Sequence, residues 1–274
     1  MLCDYHIHTH RCGDAKGDYE EYIQEAVQKG ITEIGLSGHC PQYFLPKKER
    51  TRQCAIPEEE LELYIQEIEF LKRKYQDTMN IRIGLEMDYL PGKENDALPV
   101  INFYSWDYLL LSVHFLGDWA FDNPQYIHLY EGKNIEDIYR NYYRTVIQGI
   151  RTGYFQIMAH FDLPKKFGFR PSSPVEEETE ALLACQKIGM ALEINTSGLR
   201  KPVRETYPSF DILQKAHALG IPVTLGSDAH QPAEVGKDFD QAILLLRKAG
   251  FTHAAQFEQK KYHLYPLPAI KSSE

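Results

Sequence analysis

The chain has 274 residues, of which 43% are hydrophobic, 12% aromatic and 25% charged, a balance that excludes a disordered tail, a collagen and a low-complexity segment. Thirty Lys and Arg stand against 39 Asp and Glu, a formal net charge of −9, so the mean field repels phosphate backbones and anionic membranes, and any nucleic-acid contact would need a local basic patch. The five cysteines (Cys3, Cys12, Cys40, Cys54, Cys185) lack CxxC spacing and no 18 apolar residues run together, which argues against a disulfide framework, a zinc-thiolate site and a membrane span and makes the expected compartment a reducing cytoplasm.

Along the chain, short apolar runs alternate with longer amphipathic stretches, the pattern of βα units. Residues 2–8 form the first run and lead to a helix over 18–29, where Tyr22, Ile23, Ala26 and Val27 fall at helical spacing. The run 33–37 follows. After a Pro-rich loop, Pro57 opens a long helix striped by Leu61, Tyr64, Ile65, Ile68, Leu71 and Tyr75. Runs 81–86 and 106–113 come next, then a loop of about 20 residues whose length suggests a binding role, and a helix over 134–149. Runs 155–159, 190–195 and 221–225 alternate with helices over 174–187 and 208–219; a last helix, 238–249, precedes a tail from about 250 to 274. Seven βα repeats without a linker predict an α/β fold, a single-domain distorted (β/α)7 TIM-like barrel over 1–274.

Six of the seven runs end in metal-ligand residue types: His6 and His8, Gly-His39, Leu-Glu86, Val-His114, Ala-His160, and Asp228-Ala-His230. In a parallel barrel the C-terminal strand ends converge on one mouth, so these residues are expected to meet. His6 and His8, at i and i+2, point to one face of a strand, and Asp228 and His230 repeat that spacing. Any one such His is more often a hydrogen-bonded core or surface residue, but six of the 11 histidines sharing this placement argues for a metal site suited to Zn, Mn or Fe. His10, His128, His217, His253 and His263 lack the placement and are assigned to the surface or to local hydrogen bonds. Glu86 at the end of an apolar run would otherwise be a costly buried charge. There is no GxxxxGK[ST] loop, no strand-GxGxxG-helix unit and no GxSxG elbow.

The motifs Asp4-Tyr-His-Ile-His-Thr9, Gly-His39-Cys-Pro, Gly-Leu-Glu86-Met-Asp-Tyr-Leu-Pro-Gly92, Ser-Val-His114-Phe with Asp122-Asn-Pro, His160-Phe-Asp-Leu-Pro-Lys165, Leu-Glu193-Ile-Asn-Thr-Ser-Gly-Leu-Arg200 and Gly-Ser-Asp228-Ala-His230 resemble those of the polymerase and histidinol phosphatase (PHP) family, in particular its monofunctional histidinol-phosphatases. The resemblance implies three divalent transition-metal ions at the barrel mouth. One would be held by His6, His8, Glu86 and Asp228, a second by Glu86, His114 and His160, a third by Asp14, His39 and His230. Relatives often carry His where this chain has Asp14.

The same resemblance implies hydrolysis of L-histidinol phosphate in histidine biosynthesis, with a small-molecule phosphomonoester as the partner and neither nucleic acid nor membrane involved. Arg200 is the leading phosphate clamp, since a guanidinium meets two phosphate oxygens at once, and Lys165 is a second. Asp122, with Trp119 and Phe121 in the same loop, would meet the amine and imidazole of the substrate, and Asp228 and His230 stand with Arg200 as catalytic candidates. Three divalent cations would balance the three ligand carboxylates, a hydroxide and a phosphate dianion. The rival readings are a broad phosphoesterase or 3′ exonuclease on the same scaffold, and a metal-binding regulatory module without catalysis.

Overall fold

The computed structural model describes residues 1–269; the last five residues of the tail expected from the sequence lie outside them. Seven parallel strands form the wall: β1 (Cys3–Ile7), β2 (Glu33–Leu36), β3 (Asn80–Asp88), β4 (Tyr108–Ser112), β7 (Ile157–Met158), β8 (Ala191–Asn195) and β9 (Val223–Gly226). They pair in that order. Each coincides with one of the seven apolar runs, because strands buried on both faces read as continuous apolar stretches. Between β9 and β1 the ladder shrinks to a single bridge, with His8 N donating to Ala229 O (2.9 Å) and Ala229 N to His6 O (3.2 Å). The fully buried Asp4 carboxylate reinforces the seam by accepting from the backbone N–H of Ser227 and of Gly236, both at 2.9 Å. The barrel is thus nearly closed.

Helices α1 (Tyr19–Gln28), α2 (Leu61–Lys74), α4 (Ile135–Arg151), α5 (Glu176–Ile188), α6 (Phe210–Ala218) and α7 (Phe239–Ala249) pack outside, where the amphipathic stretches placed them. At the start of α1, Asp18 and Glu21 exchange hydrogen bonds between their side chains and each other's backbone N–H. The sequence reading missed α3 (Glu94–Ile101), eight residues long with Pro99 inside it, too short and too interrupted to show a helical period. The loop after β4 folds into a small hairpin, β5 (Phe115–Leu116) with β6 (Trp119–Ala120), and a 3-10 helix, Pro124–Tyr130. Phe121, expected at the substrate, is instead fully buried against Tyr142 at 5.6 Å between ring centres.

The C-terminal tail reading is also corrected. Strands β10 (His253–Glu258) and β11 (Lys261–Pro266) make an antiparallel hairpin that packs on β9 and closes the N-terminal end of the barrel. Phe257 N donates to the Tyr5 hydroxyl (2.8 Å), and the rings of Tyr5, Tyr108 and Phe257 meet edge to face. Tyr108 enters the barrel because β2 and β3 offer glycines there: a Cβ on Gly35 would lie 2.1 Å from the Tyr108 oxygen, and one on Gly84 would lie 2.6 Å from its ring. This end is filled, so chemistry is left to the other. Among the described residues no helix is long and apolar enough to cross a membrane.

Candidate metal centre

The C-terminal strand ends bring nine ligand-type side chains to one mouth. His6 and His8 leave β1, His39 follows β2, Glu86 lies in β3, and His114, His160 and Asp228 with His230 follow β4, β7 and β9. Asp14 arrives from the turn after the 3-10 helix His10–Cys12. His160 and Asp228 sit at φ 27° and 54°, conformations a non-glycine residue adopts only when its surroundings impose them. The remaining five histidines (His10, His128, His217, His253, His263) are all exposed.

Three donor groups form among the described residues, the ligand atoms in each lying within 4.8 Å of one another: His6, His8 and Asp228; Glu86, His114 and His160; and His8, Asp14, His39 and His230. His8 belongs to two of them, whereas the resemblance gave it to one ion alone. Tetrahedral donors about 2.0–2.2 Å from a zinc-like ion stand roughly 3.3–3.6 Å apart. Here His6 Nε2 is 3.3 Å and His8 Nε2 3.5 Å from Glu86 Oε2, and His8 Nε2 is 3.2 Å from Asp228 Oδ1. His39 Nε2 and His230 Nε2 are each 3.4 Å from Asp14 Oδ2, and His114 Nε2 is 3.6 Å from Glu86 Oε1. Most of these spacings are long for hydrogen bonds and right for edges of a coordination polyhedron. Moreover His6 Nε2, His8 Nδ1 and Nε2, Asp14 Oδ1 and Glu86 Oε2 are buried with no hydrogen-bond partner. Five orphaned donors and acceptors in one place are costly without a cation, so the residues present fit a multi-metal centre.

An outer layer orients them. Glu193 Oε1 holds His6 Nδ1 at 2.7 Å, and its Oε2 accepts from His160 N (2.9 Å) and Asn195 Nδ2 (3.0 Å). Asp88 holds His114 Nδ1 at 2.8 Å. Ser112 donates to Glu86 (2.6 Å) and Ser197 to Asp228 (2.9 Å). Carboxylates on Nδ1 aim the other ring nitrogen at an ion, the usual outer-layer arrangement of metal sites. Sequence reasoning missed Glu193 and Asp88 as functional residues. The signal existed for Glu193, a charge inside the apolar strand Ala191–Asn195.

Burial disfavours charge on every member, and the neighbours decide the outcome. His6 is pushed well above its ordinary value by Glu193, Glu86 and Asp228, and His39 by Glu86 and Asp14. His114 is raised to about 9 by Asp88, while His8, buried between His230 and His39, falls to about 3. Glu86 and Asp228 stay well below the usual carboxylate range, held there mainly by His6. This is a strong mutual field of histidines and carboxylates awaiting exchange of protons for cations.

Of the other sequence-predicted residues, Arg200 lies at the end of the 3-10 turn Ser197–Arg200, its Nη2 donating to Ser227 O at 2.8 Å, one residue from Asp228. It stands 3.8 Å from Glu234 and 3.9 Å from Asp238 and is partly open to solvent. Asp122 pairs with Lys166 at 2.9 Å, and after the opposing effect of burial, Lys166, His114 and His160 lower its pKa. Lys165 does not join the cluster: its Nζ is buried on Asp162 (2.7 Å) and Thr206 O (2.7 Å). Successive residues of the 3-10 turn Leu163–Phe167 point about a third of a turn apart, so Lys166 rather than Lys165 faces the Asp122 side.

Residues 4–197 match the PHP domain family model. The chain belongs to the PHP domain family. Similar proteins include a probable histidinol-phosphatase of Deinococcus radiodurans, 41% identical over 252 residues and covering 91% of this chain and 94% of the relative. The histidinol-phosphatase of Bacillus subtilis is 32% identical over 263 residues, 86% of this chain and 96% of that one. Among solved structures, histidinol phosphate phosphatase from Lactococcus lactis, complexed with zinc, L-histidinol and phosphate, superimposes with a TM-score of 0.79 at 26% identity over 96% of this chain and 98% of that one. Asp228 and His230 of this PHP chain lie beyond the stretch the family model matches, and β9 delivers them to the same mouth.

Proposed function

We propose that this PHP enzyme hydrolyses L-histidinol phosphate to L-histidinol and phosphate, as a cytoplasmic step of histidine biosynthesis. The observation that carries the reading is the set of three adjoining donor groups around Glu86 in a chain whose relatives of near-equal length are named histidinol-phosphatases. In our assignment His6, His8, Glu86 and Asp228 hold one ion, Glu86, His114 and His160 a second, and Asp14, His39 and His230 a third. His8 also belongs to the third donor group, which supports a compact cluster. Divalent ions bound there supply Lewis acidity toward a water molecule and toward the phosphate ester.

The chain's own groups do the rest. Glu86 offers one oxygen to each side, Oε2 toward His6 and His8 and Oε1 toward His114 and His160, and so ties the first two groups together. Arg200 is anchored by Ser227 O next to Asp228, where its remaining N–H groups meet phosphate oxygens. Asp122, kept ionised beside Lys166, accepts from the ammonium of the substrate, and Asp228 or a water molecule at the metal centre would supply the proton of the departing oxygen. Lys165 has no part in this reading.

The test is turnover by protein loaded with Zn, Mn or Fe on histidinol phosphate, an aryl phosphate and single-stranded DNA. Histidinol phosphate is expected to be the preferred substrate by kcat/KM, with Glu86→Ala inactive but folded by circular dichroism. Hydrolysis confined to the aryl phosphate would overturn the substrate assignment, and trimming of DNA alone would establish a 3′ exonuclease instead.

A further inference from the structure

A cleft of about 670 Å³ opens on the outer wall of the barrel between α4, α5 and α6, lined by none of the nine metal-ligand side chains. That volume lies within the range of about 300–1,000 Å³ usual for small-molecule sites. Its lining includes the turn after β7 with Asp162 and Lys165, together with Tyr143, Arg170, Ser209 and Lys215.

Nearly every charge there already has a partner. Lys165 Nζ sits on Asp162 Oδ2 at 2.7 Å, Lys215 on Glu178 at 2.7 Å, and Arg170 on Glu205 at 2.7 Å. Asp162 Oδ2 also accepts from Ser209 N at 3.0 Å. Asp211 is unpaired but exposed, and two buried groups are left over. Asp162 Oδ1 and the Tyr143 hydroxyl are buried and make no hydrogen bond. Leaving a carboxylate oxygen and a phenol unpartnered is costly, and nothing in the phosphatase reading uses either.

A carboxylate oxygen only accepts, and a phenol accepts as readily as it donates, so the complementary group is a compact cation rich in N–H, which a primary ammonium is. A bare metal ion, which needs several donors, is disfavoured because the buried lining leaves free only one carboxylate oxygen and one phenol. At the rim, Lys215 and Arg170 are partly exposed and can turn toward an anion. We propose that this cleft is a second ligand site, which takes a free α-amino acid with its ammonium on Asp162 and Tyr143 and its carboxylate toward Lys215 and Arg170. The inference stands apart from the phosphatase reading, since binding is measured without a phosphate ester.

The experiment is calorimetric titration of the metal-loaded full chain with L-alanine, L-glutamate and L-histidine, with L-alaninamide and acetate as probes lacking one of the two charges. At least one amino acid is expected to bind while alaninamide and acetate do not. Tyr143→Phe, which removes only the unpartnered hydroxyl, is expected to weaken binding about five- to tenfold, as is Lys215→Ala. Without ligand, Tyr143→Phe should keep the turnover of the parent protein and should not lower its thermal midpoint, since the hydroxyl removed has no partner there. The proposal is overturned if no amino acid binds, if both variants bind as the parent does, or if Glu86→Ala abolishes binding and so places the ligand at the metal centre.

Discussion

Glu193→Gln tests whether the metal centre depends on charge behind its ligands. The carboxylate serves three donors at once: His6 Nδ1 at 2.7 Å, His160 N at 2.9 Å and Asn195 Nδ2 at 3.0 Å. An amide of the same shape cannot. With its oxygen toward His6, its NH₂ faces two donors; flipped, the NH₂ faces His6 Nδ1 and forces the ring proton onto Nε2, the nitrogen aimed at Glu86 and Asp228. The carboxylate fits there because residue 226 is glycine: a Cβ on Gly226 would lie 1.8 Å from Glu193 Oε1. Changes of this outer-layer kind typically cost about 10- to 100-fold in metal affinity or activity, which corresponds to roughly 1.4–2.7 kcal/mol. A further stability loss of about 1–3 kcal/mol comes from the buried donor left unpaired. Metal affinity read by chelator competition, kcat/KM on histidinol phosphate, and urea denaturation measure the three effects separately. If Glu193→Gln binds metal and turns over substrate like the parent while remaining folded, the outer layer does not set the His6 tautomer and the orientation argument fails.

Arg200→Lys keeps the charge but loses the two-pronged geometry, so product inhibition by inorganic phosphate should weaken about tenfold with metal content unchanged; unaltered inhibition would remove Arg200 from the phosphate site. Metal uptake should release protons, since His114 is raised to about 9 and His6 and His39 lie well above their ordinary values in the metal-free state. Protons compete with ions at these nitrogens, so affinity should rise with pH up to about 9; calorimetry at pH 7 in buffers of differing ionisation enthalpy counts the protons, and zero release would contradict the field described above. Gly84→Ala should lower stability by about 1–3 kcal/mol through overpacking against Tyr108, 2.6 Å from the added Cβ, with the metal sites intact; a variant as stable as the parent in urea would show that the barrel floor yields freely.

The seven strands and six of the helices were legible because their signals are local. A strand buried on both faces is an apolar run, a packed helix carries an apolar stripe, and a ligand at a strand end follows its run by one or two residues. His6, His8, His39, Glu86, His114, His160, Asp228 and His230 are readable that way, and the five exposed histidines are separable from them by the same rule. Where two local signals conflicted or were weak, reading failed: Pro99 masked α3, and the mostly exposed β11 looked like a tail.

Sequence alone therefore determined which segments become strands and which side chains end up at their C-terminal ends, because both follow from spacing within a few residues. Tertiary structure decided what those side chains meet. Glu193 finds His6 across 187 positions, Lys166 takes the place beside Asp122 that a one-residue rotation denies to Lys165, and His8 stands between two donor groups. Such pairings depend on barrel closure and strand register, quantities set by the packing of the whole chain and carried by no single stretch of it.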